Sequence, residues 1–141
     1  MTQIVAPWTK ETQMAEPHRL DAIITVDDLP AAAEALQRAH WGYLAAITGL
    51  DLGPDSGRIE VLYHFCEGAA VLTLRLQVPY EEAVVPSLCV WIPSAAFFER
   101  ELEEMLGVAV AGAPSHAPLF LPDDWPAGVY PLRKEFTGLA T

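Results

Sequence analysis

The sequence predicts an α+β fold: a mixed, mainly antiparallel sheet in β-α-β-β-β order with helices on one face, a further helix, and an extended Pro-rich C-terminal arm. Three observations lead there. Apolar residues alternate with a period of two in several stretches before residue 80, and they recur with a helical period in two others. After Gly107, prolines and glycines interrupt every period.

Residues 1–17 show no period and read as a flexible leader in which Trp8 is a docking group. The domain proper is expected over residues 18–107, and residues 108–141 form its arm. From Arg19 to Val26 the apolar Leu20, Ala22, Ile24 and Val26 alternate with Asp21 and Thr25, giving a half-buried strand with Ile23 as the exception. Asp27 and Asp28 then offer a cap, Pro30 sits in a first turn where its missing N–H costs nothing, and Leu29, Ala32, Ala33, Leu36 and His40 mark one helical face. This helix is expected to cross over between the first two strands.

The second strand spans about Tyr43 to Leu50. The turn Gly53-Pro54-Asp55-Ser56-Gly57 leads to a third from Arg58 to Cys66, in which Ile59, Val61, Tyr63 and Phe65 share a face. Glu67-Gly68 reverses the chain into the clearest alternation, Leu72, Leu74, Leu76 and Val78 against Thr73, Arg75 and Gln77. Short loops make these strands antiparallel neighbours. Val84 to Trp91, interrupted by Pro86, is expected as an edge strand. The second helix opens with Ser94 as its cap, places Phe98, Leu102, Met105 and Leu106 on one stripe, and stops at Gly107.

Gly112, Pro114, Pro118, Pro122, Pro126, Gly128 and Pro131 then preclude regular structure, while Leu119, Phe120, Leu121, Trp125, Tyr130 and Leu132 are too apolar for a solvated tail. An arm lying on a surface, its own or a partner's, satisfies both facts.

Composition narrows the function. With 52% hydrophobic residues the chain is long enough to bury a core, yet it has no run of about 18 apolar residues to span a bilayer. Nineteen acidic against eight basic side chains give a net charge of −11, which excludes nucleic acid and anionic membrane as partners. Residues 1–17 have neither the basic nor the apolar segment of a signal peptide, so a reducing cytoplasm is expected, with Cys66 and Cys89 as thiols.

No constellation for catalysis or cofactor binding is visible. His18, His40, His64 and His116 stand far apart at no zinc-site spacing, and two distant cysteines cannot hold an iron-sulfur cluster. Neither a dinucleotide nor a triphosphate glycine loop is present. Ser115-His116 is a dipeptide in a turn, where adjacent residues make a poor dyad. Glu99, Glu101, Glu103 and Glu104 read as a solvated helix face, with Arg100 and Glu104 attracting at i, i+4. Trp125 is the natural interface anchor, and the basic pair Arg133-Lys134 either balances local charge or meets an acidic patch on a partner.

Glu99-Arg100-Glu101 on a helix ending at Gly107, then Pro114, Leu121-Pro122 with Trp125, then Pro131-Leu132-Arg133-Lys134-Glu135, resembles the signature of the 30 kDa subunit of respiratory complex I, the C-type subunit of the bacterial NADH-quinone oxidoreductase. The resemblance runs in order from Ala45 to Glu82 and is sharpest from Val85 onward. Glu104 stands where the family has Asp, Leu106 where it has Phe, Ala113 where it has His, and Ala117 and Pro118 where it has two arginines. These departures leave open the similar subunit of membrane-bound energy-converting nickel-iron hydrogenases.

The resemblance implies a similar fold and a non-catalytic structural subunit, peripheral at the inner face of the cell membrane, bracing the quinone-reducing module against the 49 kDa-like subunit. FMN, iron-sulfur clusters, NADH and quinone would sit on partner chains and none on this one. The resemblance also has Glu99, Arg100 and Glu101 hold neighbouring loops or subunits in place, a role that suits the planar fork of Arg100 above all, and the implied partner interface comprises Glu99, Arg100, Glu101, Pro122, Trp125, Pro131, Leu132, Arg133 and Lys134. A free-standing enzyme or small-ligand module of the same fold is the contrasting reading.

Overall fold

Strict alternation builds the sheet. In the computed structural model, which describes residues 2–139, Tyr43–Asp51 (β3), Arg58–Glu67 (β4) and Ala70–Pro79 (β5) form an antiparallel run, with Leu72, Leu74, Leu76 and Val78 facing Ile59, Val61, Tyr63 and Phe65 across the pairing. All eight are buried. Each large side chain among them contributes on the order of 1.5–3 kcal/mol by leaving water.

Strand β2 (Arg19–Ile23) pairs parallel with β5, so the sheet is mixed and mainly antiparallel. With Glu11–Glu16 as β1, the five-stranded order is β1-β2-β5-β4-β3. Helix α2 (Leu29–Arg38) therefore carries the chain from β2 to the far edge of the sheet rather than to a neighbouring strand. Its buried Leu29, Ala32, Ala33 and Leu36 join the same core cluster as the sheet. His40 lies beyond the helix with φ 51°, outside that face.

The segment expected as a leader is structured. Thr2–Val5 is a helical turn (α1) whose Val5 is fully buried, and Glu11–Glu16 is strand β1, antiparallel to β2. All six residues of β1 are exposed, so no apolar alternation announces it. Backbone pairing to β2 alone places it.

Helix α3 (Ala95–Leu106) packs on β3 through Leu102 and Leu106. Gly49 permits the approach, because a Cβ there would collide with both leucine side chains. Neither expected cap residue bonds its helix: Ser94 makes no side-chain cap, and Asp28 instead exchanges hydrogen bonds with Thr25. The edge strand expected over Val84–Trp91 is only Val84–Pro86 (β6), paired parallel with Ala109–Ala111 (β7) in a separate two-stranded sheet. Beyond Pro86 the chain closes into a turn, with Trp91 and Ile92 amides bonding Leu88 O.

From Gly112 onward the described residues form no strand or helix, but they do not extend away as an arm. The segment folds back over α3 and the end of β3, because amides that prolines leave without regular partners find carboxylates and helix-end carbonyls there.

Candidate partner interface

Helix α3 holds what lies on both sides of it. Glu99 is 2% exposed and accepts hydrogen bonds from Ser87 Oγ at 2.8 Å, the Leu88 amide at 2.6 Å and Cys89 Sγ at 3.2 Å. It is a buried brace for the 87–89 turn, not a side chain offered to a partner. Burial pushes the Cys89 thiol up, and the Glu99 carboxylate adds to that shift while Ser87 opposes it. Burial beside the same carboxylate also raises the Tyr63 hydroxyl.

The other carboxylates of α3 reach forward in sequence. Glu104 accepts the amides of Leu119 and Phe120 at 2.9 and 2.6 Å, and Glu103 accepts the Val110 amide at 2.9 Å and faces His116 Nδ1 at 2.8 Å. Arg100 donates from Nε and Nη2 to the carbonyls of Ala117 and Pro118, both at 2.8 Å. The acids Glu103 and Glu104, expected on a solvated face, are thus committed to residues 110–120, and Arg100, instead of pairing with Glu104, holds the neighbouring loop at Ala117 and Pro118. Glu101 alone lines a groove with Ile47, Phe98, Met105 and Leu132.

The end of α3 is closed by the motif Pro131 to Glu135. A helix leaves its last carbonyls unpaired and carries a negative end there. Leu132 donates its amide to Met105 O at 3.0 Å, and Arg133 Nε donates to Leu106 O at 2.5 Å. The Arg133 guanidinium also lies 5.0 Å from the Tyr80 ring centre and 5.5 Å from that of Tyr130. Gly107, with φ 71°, takes the left-handed conformation that ends α3 and puts its backbone against the Tyr130 ring, where a Cβ would come within 2.5 Å.

Asp51 completes the latch. Its carboxylate is 4% exposed and accepts the Gly53 amide at 2.9 Å, the Lys134 amide at 2.8 Å and the Tyr80 hydroxyl. Burial alone would raise this carboxyl, but those hydrogen bonds, with Arg133 nearby, outweigh it and hold the group below the ordinary carboxylate value. The Tyr80 hydroxyl is correspondingly raised by its bond to Asp51.

Trp125 is half-buried within its own segment, donating Nε1–H to Val129 O at 2.8 Å with its ring 6.1 Å from Phe136. Pro122 is exposed and Pro131 half-buried. Of the expected interface residues, Leu132 is 57% exposed and the Lys134 side chain reaches solvent beside Gly53. Phe97 and Phe120, at 61% and 63%, flank Arg100 and Glu104 and lie outside the set expected from the sequence. So do Asp51, Tyr80 and Tyr130. The one sequence signal for Asp51 is an acid in phase with the buried side of its strand.

A family model described as respiratory-chain NADH dehydrogenase, 30 Kd subunit, matches residues 22–141. The chain belongs to that family. It is 32% identical over 120 residues to formate hydrogenlyase subunit 5 of Escherichia coli K12, covering 83% of this chain and 21% of that protein. It is 32% identical over 117 residues to the C-type subunit of NADH-quinone oxidoreductase from Moorella thermoacetica, covering 81% and 77%. The chain thus spans about a fifth of the first relative's length and most of the second's. A chain from the membrane-bound sulfane sulfur reductase, an archaeal respiratory membrane complex, superposes with a TM-score of 0.83 at 26% identity, covering 96% of this chain and 82% of that one. Among the described residues no helix is long and apolar enough to cross a membrane.

Proposed function

We propose that this chain is a non-catalytic structural subunit in the peripheral arm of a proton-translocating NADH-quinone oxidoreductase, where it braces the quinone-reducing module. The observation that carries the reading is the use to which the family-motif residues are put. Glu99, Arg100 and Arg133 spend their side chains, and Leu132 and Lys134 their backbone amides, on groups of this same chain, which is positioning rather than chemistry. Phe97, Phe120 and Leu132 are held outward by that framework, and large apolar groups fixed in water suit a docking surface. A 49 kDa-like subunit is the partner this reading assigns, with FMN, iron-sulfur clusters, NADH and quinone on other chains. Its place is cytoplasmic, at the inner face of the cell membrane.

A second reading is favoured by the match to formate hydrogenlyase subunit 5. The chain would then be the equivalent scaffold of a membrane-bound energy-converting nickel-iron hydrogenase or formate-hydrogenlyase-like complex. Pull-down of the tagged chain from mildly solubilised native membranes, with metal and flavin analysis, separates the two. Co-eluting flavin and NADH-quinone activity are the expected result; nickel with hydrogenase activity selects the second reading, and a solitary chain overturns both.

A further inference from the structure

Past Ala113 the chain stops contributing to the core. Between Pro114 and Leu139 no described residue is buried, although Leu119, Phe120, Trp125, Tyr130, Leu132 and Phe136 lie there, and Ala113 is the last described residue that packs against the buried cluster of sheet and helices. Polar ties fasten the segment instead, at two places. At the near anchor Arg100 donates to the carbonyls of Ala117 and Pro118, Glu104 accepts the amides of Leu119 and Phe120, and Glu103 meets His116 Nδ1. At the far anchor the Leu132 amide donates to Met105 O, Arg133 Nε to Leu106 O and the Lys134 amide to Asp51. Between the anchors the segment holds itself: the Trp125 amide donates to Pro122 O at 3.0 Å, its indole to Val129 O at 2.8 Å, and its ring stands 6.1 Å from that of Phe136.

We propose that residues 114–139 form a strap that opens and recloses as one body over a sheet and an α3 that stay folded, with its hinge at Gly112 and Ala113. Buried apolar surface is what obliges a segment to unfold with the rest of a domain, and a segment held by hydrogen bonds at half-buried and exposed groups opens at a fraction of the global cost. The Trp125 ties and the Phe136 contact keep the strap in shape as it moves. Both anchors grip one rigid helix, so closing either holds the residues of the other near their partners, and the two act together. Exposed Gly112, with φ 77° and open space on its Cβ side, gives the pivot. Opening uncovers Glu103, Glu104, Asp51 and the last carbonyls of α3 at once. The open state therefore presents a negative surface at the end of α3, and the closed state an apolar one carrying Phe120 and Leu132. The device belongs to the free chain and stands apart from the choice of parent complex.

The test is native-state hydrogen exchange on the full chain, followed amide by amide by NMR in increasing, sub-denaturing urea. The tied amides of Leu119, Phe120, Leu132 and Lys134 are expected to exchange through one common opening, about a hundredfold faster than those of β4 and β5 and with a much weaker urea dependence. Glu104→Ala removes only the near anchor, yet it is expected to speed Leu132 and Lys134 about tenfold as well, the scale of one hydrogen bond. Arg133→Ala is expected to do the same to Leu119 and Phe120, while β4 and β5 keep their rates. The proposal is overturned if the four amides share the rates and urea dependence of the sheet, since the segment then unfolds only with the rest. It is equally overturned if neither variant reaches the amides of the other anchor, since the two halves then move separately.

Discussion

The Lys134 amide donates to Asp51 Oδ2 at 2.8 Å, tying together residues 83 positions apart. Through this one bond the end of the chain is fastened to the last residue of an edge strand, beside the end of α3 that Arg133 closes. Asp51→Ala leaves the Tyr80 hydroxyl and the amides of Gly53 and Lys134 without their acceptor. The expected cost is about 3 kcal/mol, the scale of hydrogen bonds to a buried charge, read by urea unfolding. Hydrogen exchange at Lys134 accelerates with it. Because the folded carboxyl lies below its ordinary value, Asp51 contributes stability above about pH 3.8 that is lost as pH falls through the folded value, and Asp51→Asn removes this dependence.

Gly107→Ala strains a backbone at φ 71° and drives a methyl into the Tyr130 ring. A loss of about 1–2 kcal/mol from the left-handed conformation alone is expected, with the steric part added. In the double variant with Tyr130→Ala the steric part disappears, so the two changes cost less together than their sum. Additive costs would place the ring elsewhere.

Glu99→Ala removes the acceptor that holds Ser87, Leu88 and Cys89. The expected destabilisation is about 3 kcal/mol. The Cys89 thiol also loses a neighbour that raises it, so a disulfide reagent at neutral pH reacts with Cys89 several-fold faster than in the parent chain. An unchanged rate would separate Glu99 from the turn.

His64 lies between Thr48 Oγ1 at 3.2 Å and Thr73 Oγ1 at 3.0 Å on the open face of the sheet. Burial lowers it, Arg19 lowers it further, and Asp21 partly opposes them. Below about pH 6.5 the unfolded chain takes up a proton that the folded one resists, so stability falls with pH until the folded value is passed. The difference in unfolding free energy between the parent and His64→Gln should narrow from pH 7.5 to pH 5.5. A constant difference would refute the assignment.

Trp125→Ala breaks the bond to Val129 O and the contact with Phe136. The loosened segment no longer presents a fixed surface, so the yield of assembled complex is expected to drop several-fold while residues 18–107 keep their exchange protection. Normal yield on native gels would count against the C-terminal segment as a docking element.

Local order in the chain was enough to specify the strands with one apolar face, both long helices and the end of α3. Each is written in a short period: Leu72, Leu74, Leu76 and Val78 at two, Leu102 and Leu106 at i, i+4, and Gly107 as a left-handed stop. Family membership was legible for a related reason, since Glu99-Arg100-Glu101, Leu121-Pro122, Trp125 and Pro131-Leu132-Arg133-Lys134-Glu135 keep the family's order even though Glu104, Leu106, Ala113, Ala117 and Pro118 depart from its residue types.

That β2 lies parallel beside β5, that exposed β1 is a strand at all, and what the carboxylates of α3 hold were settled only by contacts distant in the chain, whereas the antiparallel neighbours β3, β4 and β5 already followed from their short loops. Glu99 reaches back 11 residues to Leu88, Glu104 forward 16 to Phe120, and Asp51 across 83 to Lys134. A carboxylate seeking backbone amides leaves no period in the sequence. The same helix face can therefore be drawn as solvated or as structural until the chain has folded back and the unpaired amides of its Pro-rich end have chosen their acceptors.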